Sequence, residues 1–273
     1  MNTEKVIFIG GSGRSGTTLM AQLLDYHSEV ASIFEVPTLI SLLNHLRKGL
    51  QPSQDFLEKE FIELGHALLP ATEYNWRMLK KEVEYGWRKK IIEPLQSGDA
   101  LISCVRNWLD YMHQLQMVRD GSKIIIHKTP VLVRYLPEIK KLFPESQFIH
   151  MLRDPRHVIA SYKKQTWGPT NIEEGIKWYC ERVSDGFKDS AEFSNYMEIK
   201  LEELLSNPDK ILSAIQSEIG VKDETKAILD SGLIDFKRIN HRAKEVSDSE
   251  SKKILSEIGK SIPRILELYS TDN

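Results

Sequence analysis

The sequence predicts an α/β fold, a parallel β-sheet flanked by helices. Three observations predict it. Short apolar runs alternate with stretches of helical periodicity along the chain. Each run passes directly into Gly, Pro or charged residues, as strands do when both faces of a parallel sheet are covered. A glycine-rich segment lies between the first run and the first helical pattern, where a strand–loop–helix unit that holds an anion must place it. A chain of 273 residues fits one large domain over 1–273 and buries a sizeable core without disulfide or metal staples.

The first strand is read at Val6-Ile-Phe-Ile9, followed by a helix over Thr17 to Tyr26 with Leu19, Met20, Leu23 and Leu24 at helical spacing. From about 52 to 121 the chain reads as helix after helix, with Trp76, Trp87 and Trp108 and no Gly/Ser/Pro-rich linker, which predicts a helical insertion on the sheet. Lys123-Ile-Ile-Ile126 is the next strand. A helix over Leu132 to Phe143, bounded by Pro130 and Pro144, separates it from the strand Gln147–Leu152. A helix is expected to start near Pro155, and another to run from Ile172 to Phe187 through Ile176, Tyr179, Cys180 and Val183. Tyr196-Met-Glu-Ile199 is a weaker strand signal. The rest, Asn207 to Asn273, reads as a helical C-terminal region. In it a basic cluster, Phe236 to Lys244, and a polar run, Ser247 to Ser251, lead to a last amphipathic helix ending near Tyr269.

Composition narrows the function classes. The net charge of −2 argues against a general nucleic-acid or anionic-membrane surface, so an anion site must be local. Cys104 and Cys180 form no CxxC pair and no disulfide framework, which fits a reducing cytoplasm. The N-terminal apolar run is too short for a signal peptide or a membrane span, so neither is expected.

Gly11 to Thr18 has the frame G-x-x-x-x-G-T-T directly after a strand and at the opening of a helix. That is the position of a phosphate-binding loop, and it makes the architecture P-loop-like. Glycines let successive backbone N–H groups turn inward, and the helix N-terminus adds partial positive charge. The nucleoside-triphosphate version places Lys where this chain has Thr17. The loop's cation is instead Arg14, whose planar fork suits bidentate contact with a phosphosulfate better than with ATP. A plain Gly-rich turn joining strand to helix is the competing reading.

A second candidate anion site follows the strand Gln147–Leu152. Arg153 stands at the strand end and Ser161 lies eight residues on, in the helix from Pro155, so both can converge on one tetrahedral anion. Asp154 is read as an N-cap or ion-pair partner rather than an acid catalyst. Two separate sites of this kind describe a nucleotide with anionic groups at both ends.

These segments resemble the 5′-phosphosulfate loop and the 3′-phosphate motif of sulfotransferases that use 3′-phosphoadenosine 5′-phosphosulfate (PAPS). They are most similar to the tyrosylprotein-sulfotransferase-like and bacterial branch. The resemblance rests on Gly13-Arg-Ser-Gly-Thr-Thr-Leu-Met20, Leu24-Asp-Tyr-His27, His127-Lys-Thr-Pro130, Leu142-Phe-Pro-Glu-Ser146 and the Arg153 segment. A thinner echo is Lys200-Leu-Glu-Glu-Leu-Leu-Ser-Asn-Pro208, with Lys in place of the family's Tyr. It is clear over 5–38 and 123–163 and thin over 196–215.

The resemblance implies that Arg14, Ser15, Gly16, Thr17 and Thr18 hold the 5′-phosphosulfate, and that Arg153 and Ser161 hold the 3′-phosphate. It implies a general base at Glu35, 21 residues after Arg14, to relieve the acceptor of its proton. It implies that Lys128, with Arg14, stabilises charge on the transferring sulfuryl group. His127 is the alternative base, or else a histidine packed beside the sheet. Lys237-Arg-Ile-Asn240 in the basic cluster resembles a Lys-Pro-Val-Asn stretch of the tyrosylprotein branch. Segment 236–244 has two readings, a cover over the adenine or the 3′-phosphate and a solvated basic run. Trp167 and Trp178 are read as core aromatics in preference to walls of an acceptor pocket.

The expected activity is therefore in-line sulfuryl transfer from PAPS to a hydroxyl (or amine) acceptor. No metal is required, because side chains and backbone N–H groups take its place. The acceptor class stays open among proteins, carbohydrates, lipids and small alcohols or phenols. A magnesium-dependent small-molecule kinase on a degenerate P-loop, and a nucleotide-binding protein without turnover, are the two competing functions.

Overall fold

A computed structural model describes residues 5–67, 80–234 and 246–270. In chain order the elements are β1 (Lys5–Gly11), α1 (Thr17–Asp25), β2 (Val30–Phe34), α2 (Pro37–Lys48), α3 (Gln54–Ala67) and α4 (Lys80–Trp87). A π-helical turn, Arg88–Ile92, leads to α5 (Glu93–Gln96) and α6 (Leu101–Asp120). Then come β3 (Ile124–Lys128), a 3₁₀ segment (Pro130–Tyr135), α7 (Leu136–Leu142), β4 (Gln147–Leu152), α8 (Pro155–Lys163) and α9 (Ile172–Asp189). The chain continues through β5 (Tyr196–Lys200), α10 (Leu201–Ser206), α11 (Pro208–Ile219), α12 (Thr225–Asp230), α13 (Asp248–Ser261) and α14 (Arg264–Tyr269).

The strands form a five-stranded parallel sheet in the order β2-β3-β1-β4-β5. This is the predicted α/β architecture, and the described elements between β2 and β3 are all helical. Among the described residues no helix is long and apolar enough to cross a membrane. The basic cluster 236–244 lies outside the described residues.

Three expectations about elements need correction. β2 gave no sequence signal: Val-Ala-Ser-Ile-Phe is short, centred on Ala and Ser, and shows no alternation. It becomes a strand by pairing with β3, from Val30↔Ile124 to Phe34↔Lys128, and non-local pairing of that kind outweighs weak local preference. The helix expected over 132–143 is instead a 3₁₀ segment followed by α7. Pro137 has no N–H to donate back, so a continuous α-helix is interrupted there. The last helix is two, α13 and α14, because Pro263 disfavours helical backbone at Ile262 and the first ends at Ser261. Ser247 and Glu250 close a reciprocal capping box at the start of α13. The weak signal of β5 matches its place at a sheet edge, where every residue is only half-buried.

The chain divides into two compact units. The first comprises Met1–Phe8, Leu24–Thr129 and Pro137–Gln147, the second Ile9–Leu23, Pro130–Leu136 and Phe148–Asn273. In the first, Trp87 and Trp108 meet edge to face at 5.3 Å, and Phe8, His113, His127 and Phe143 pack ring against ring. Arg47 of α2 grips Glu138 of α7 with two hydrogen bonds, 3.0 and 2.9 Å. In the second, α8, α9, α13 and α14 share a core that includes Val158, Ile159, Tyr179, Ile254, Ile258 and Tyr269.

Among the described residues three histidines are wholly buried: His113, His127 and His150. Burial pushes His127 and His150 down to about 3, and the neighbouring Lys128 charge adds to the effect at His127. Burial also holds His113 well below the usual value, with His127 adding to it. In each case the folded value lies below the unfolded one, so the stabilisation is present above about pH 6.5 and is lost as the pH falls toward 3. The expected loss is about 1.4 kcal/mol per pH unit for each such histidine. Equilibrium denaturation from pH 7 to pH 4 measures it, and NMR titration should show His127 and His150 still neutral at pH 5. Titration near pH 6.5 would contradict their burial as neutral rings.

Candidate active site

In the second unit, β1 delivers the chain into the loop Ser12–Gly16, and α1 begins at Thr17 with no acidic residue in its first turn. The helix N-terminus is thus left free to attract an anion. The loop turns through the left-handed region at Gly13 (φ 76°), Arg14 (φ 54°) and Gly16 (φ 89°). Glycine is required at two of these positions by space as well as by φ. A β-carbon on Gly13 would collide with the Tyr162 hydroxyl, and one on Gly16 would stand 2.7 Å from Leu201 Cδ1.

Arg14, Arg153 and Ser161 come together around this loop. Arg14 Nε donates to Ser161 Oγ at 3.1 Å. Arg153 Nη1 donates to the Arg14 carbonyl at 2.9 Å. Ser15 is buried, and its Oγ has no hydrogen-bond partner among the described residues. Thr17 is buried, while Gly16 and Thr18 are half-buried. Asp154 caps α8 by accepting from the Arg156 N–H at 2.8 Å, and it also holds the Arg156 guanidinium. It is the cap and ion-pair partner that its position suggests.

In the first unit, Glu35 follows directly on β2, and Lys128 ends β3. Glu35 N–H donates to the Lys128 carbonyl at 2.7 Å, and Lys128 Nζ donates to Glu35 Oε1 at 2.6 Å. The pair is asymmetric: the Lys128 side chain is 2% exposed and that of Glu35 58%. Lys128 Nζ also lies 5.3 Å from the Phe34 ring centroid, a favourable cation–π position. Burial pushes the Lys128 ammonium below the usual lysine value, and the Glu35 carboxylate opposes that shift. Val36 N–H donates to Thr129 Oγ1 at 3.3 Å, which fixes the chain just beyond Glu35.

Among the described residues, Arg14 and Glu35 are the non-glycine residues with positive φ, 54° and 34°. Such backbone costs of order 1–3 kcal/mol and persists where surrounding structure enforces it, commonly at functional sites. In the first unit Glu35 and Lys128 stand at the carboxyl ends of β2 and β3, and in the second the loop Ser12–Gly16 and Arg153 stand at those of β1 and β4. That is where open parallel sheets bind ligands.

His127 is the packed histidine of the two readings: it is wholly buried, with His113 Nε2 at 3.4 Å from its Nδ1. Trp167 corrects the core-aromatic reading, being 60% exposed on the segment after α8, where the chain has left the core. Trp178 is half-buried and stacks on Tyr162. Tyr162 and Leu201, which shape the loop, received no role from the sequence. Tyr162 follows Ser161 directly and Leu201 is the second residue of the Lys200–Pro208 echo, so both were within reach of the motifs.

The model of the sulfotransferase family matches residues 6–225. A putative protein-tyrosine sulfotransferase of Caenorhabditis briggsae is 25% identical over 272 residues, covering 93% of this chain and 81% of that protein. An uncharacterized protein of Aquifex aeolicus (strain VF5) is 25% identical over 187 residues, 67% of this chain, and the matched part spans only 20% of that longer protein. The solved sulfotransferase domain of the Synechococcus PCC 7002 olefin synthase shares the fold, with a TM-score of 0.59 at 18% identity, covering 100% of this chain and 96% of that one. With the family's model matching most of the length, this chain belongs to the sulfotransferase family.

Proposed function

We propose that the chain transfers a sulfuryl group from PAPS to a hydroxyl (or amine) acceptor, in line, with Glu35 as general base. The observation that carries this reading is the meeting of Arg14, Arg153 and Ser161 around a glycine-built loop at a helix N-terminus. The residues present fit an anionic donor. Ser15 Oγ is a buried hydroxyl with no partner among the described residues, the left-handed turns at Gly13 and Gly16 carry no side chain, and the Arg14 and Arg153 guanidinium groups bring positive charge to the loop.

In this reading Arg14, Ser15, Gly16, Thr17 and Thr18 bind the 5′-phosphosulfate, and Arg153 and Ser161 bind the 3′-phosphate. The bond between Arg14 and Ser161 makes the two sets contiguous. PAPS, when bound, supplies the activated sulfuryl group. Glu35 accepts the acceptor's proton, its carboxylate being the exposed member of its pair and so open to an incoming hydroxyl. Lys128 orients that carboxylate and offers positive charge from a poorly solvated position, where a charge acts most strongly. Cys104 and Cys180 are both free thiols, which supports a reducing, cytoplasmic setting.

Thermal shift with adenosine 3′,5′-bisphosphate, ADP and magnesium-ATP tests the donor class. A ligand at 100 times its Kd stabilises by about 2.7 kcal/mol. Stabilisation is expected from the 3′-phosphorylated nucleotide without magnesium. Preferential stabilisation by magnesium-ATP would transfer the case to the kinase reading.

A further inference from the structure

We propose that Tyr162 is a positioning residue for the anion-binding loop: its hydroxyl holds the left-handed turn that presents Arg14, and a clamp on α9 holds its ring. The inference rests on the reading of that loop as the donor site. Tyr162 lies in α8 and is buried. Its hydroxyl donates to the Ser12 carbonyl, and Ser12 is itself buried, so that carbonyl needs a partner within the protein. The next two residues, Gly13 and Arg14, take positive φ. For Arg14 this conformation is unfavourable in isolation by roughly 1–2 kcal/mol, so contacts on either side must hold it. Arg153 supplies one by donating to the Arg14 carbonyl. Tyr162 supplies the other, two residues earlier.

The Tyr162 ring is itself immobilised. Trp178 stacks on it at 4.9 Å with 22° between planes, and Trp167 meets it edge-on at 5.9 Å. The Arg182 guanidinium lies 5.6 Å from its centroid and 4.6 Å from that of Trp178. Trp178 and Arg182 stand four residues apart on α9, so they share a helix face and close on Tyr162 together. Burial pushes the Tyr162 hydroxyl above the usual tyrosine value, while Arg182 and Arg14 pull it back. The hydroxyl therefore stays protonated at neutral pH and remains a donor.

Packing alone would need only the ring, because Tyr162 also belongs to the core of α8, α9, α13 and α14. Tyr162→Phe keeps the ring and removes the hydroxyl, so it separates the two roles. Hydrogen exchange of the unliganded protein, calorimetric binding of adenosine 3′,5′-bisphosphate and steady-state kinetics with PAPS are the measurements. Removing one neutral hydrogen bond is expected to speed exchange across Ser12–Gly16 by roughly fivefold and to weaken nucleotide binding by a similar factor. The KM for PAPS should rise while kcat changes little. Trp178→Ala, which leaves the hydroxyl but loosens its ring, should shift the same loop amides in the same direction. Unchanged loop exchange in Tyr162→Phe would overturn the proposal, as would faster exchange with unaltered nucleotide affinity. Faster loop exchange in a protein whose wild type binds no adenosine 3′,5′-bisphosphate would uphold the positioning role and overturn the donor reading instead.

Discussion

Glu35→Gln is expected to lower the rate of sulfuryl transfer by about 10²–10⁴-fold, the usual contribution of a positioned general base. The substitution keeps the size of the side chain and an oxygen able to accept from Lys128 Nζ, which sits 2.6 Å from Glu35 Oε1. It removes the capacity to take a proton. Donor affinity should be unchanged, because the loop and the Arg153 segment are untouched. Stability should fall modestly, since the buried Lys128 ammonium loses its countercharge. The sign of the pH dependence follows from Lys128. Its folded value lies below its unfolded one, so the cost of its buried charge is fully present at neutral pH. That cost disappears as the pH rises past the unfolded value near 10.4. The stability gap between Glu35→Gln and wild type should therefore close toward alkaline pH. Label transfer from PAPS to a panel of phenols and alcohols measures activity, and a variant as fast as wild type would remove Glu35 from the chemistry.

Lys128→Met is expected to cost about 10²–10³-fold in transfer rate, the scale seen when one electrostatic stabiliser of a transition state is removed. Its effect on stability should run the other way from that of Glu35→Gln. The wild-type ammonium is held at 2% exposure, and even with Glu35 beside it burial prevails and lowers its proton affinity. Methionine fills nearly the same volume with no charge to desolvate. The carboxylate left behind is 58% exposed and is readily hydrated. The melting temperature should stay level or rise while activity collapses, the signature of a group retained for function at the expense of stability. A variant that loses several degrees, or that keeps its rate, would make Lys128 a structural residue.

The two parts of the site were legible to different degrees. The loop at 11–18 is a local device: glycines, an arginine and a helix start within eight positions, readable because backbone geometry over such a span depends on the residues themselves. The helix after Pro155 and its Asp154 cap were readable for the same reason. The partnership of Glu35 with Lys128 joins residues 93 positions apart and had no sequence signature; only their separate roles were expected, from a family resemblance and, for Glu35, a spacing. The bond from Tyr162 to Ser12 spans 150 positions and had no sequence signature.

The amino-acid sequence by itself determined the fold class, the order of the main elements, the glycine-rich loop between β1 and α1 and the residue types available to it. Tertiary structure alone decided that Val30–Phe34 is a strand, that His113, His127 and His150 are buried, and that Trp167 is exposed. It also decided that Lys128 is buried against an exposed Glu35, and that the Tyr162 hydroxyl meets the Ser12 carbonyl. The physical reason is common to all of these. Burial and pairing between distant segments depend on which surfaces meet once the chain has closed long loops, and local preferences carry no record of that closure.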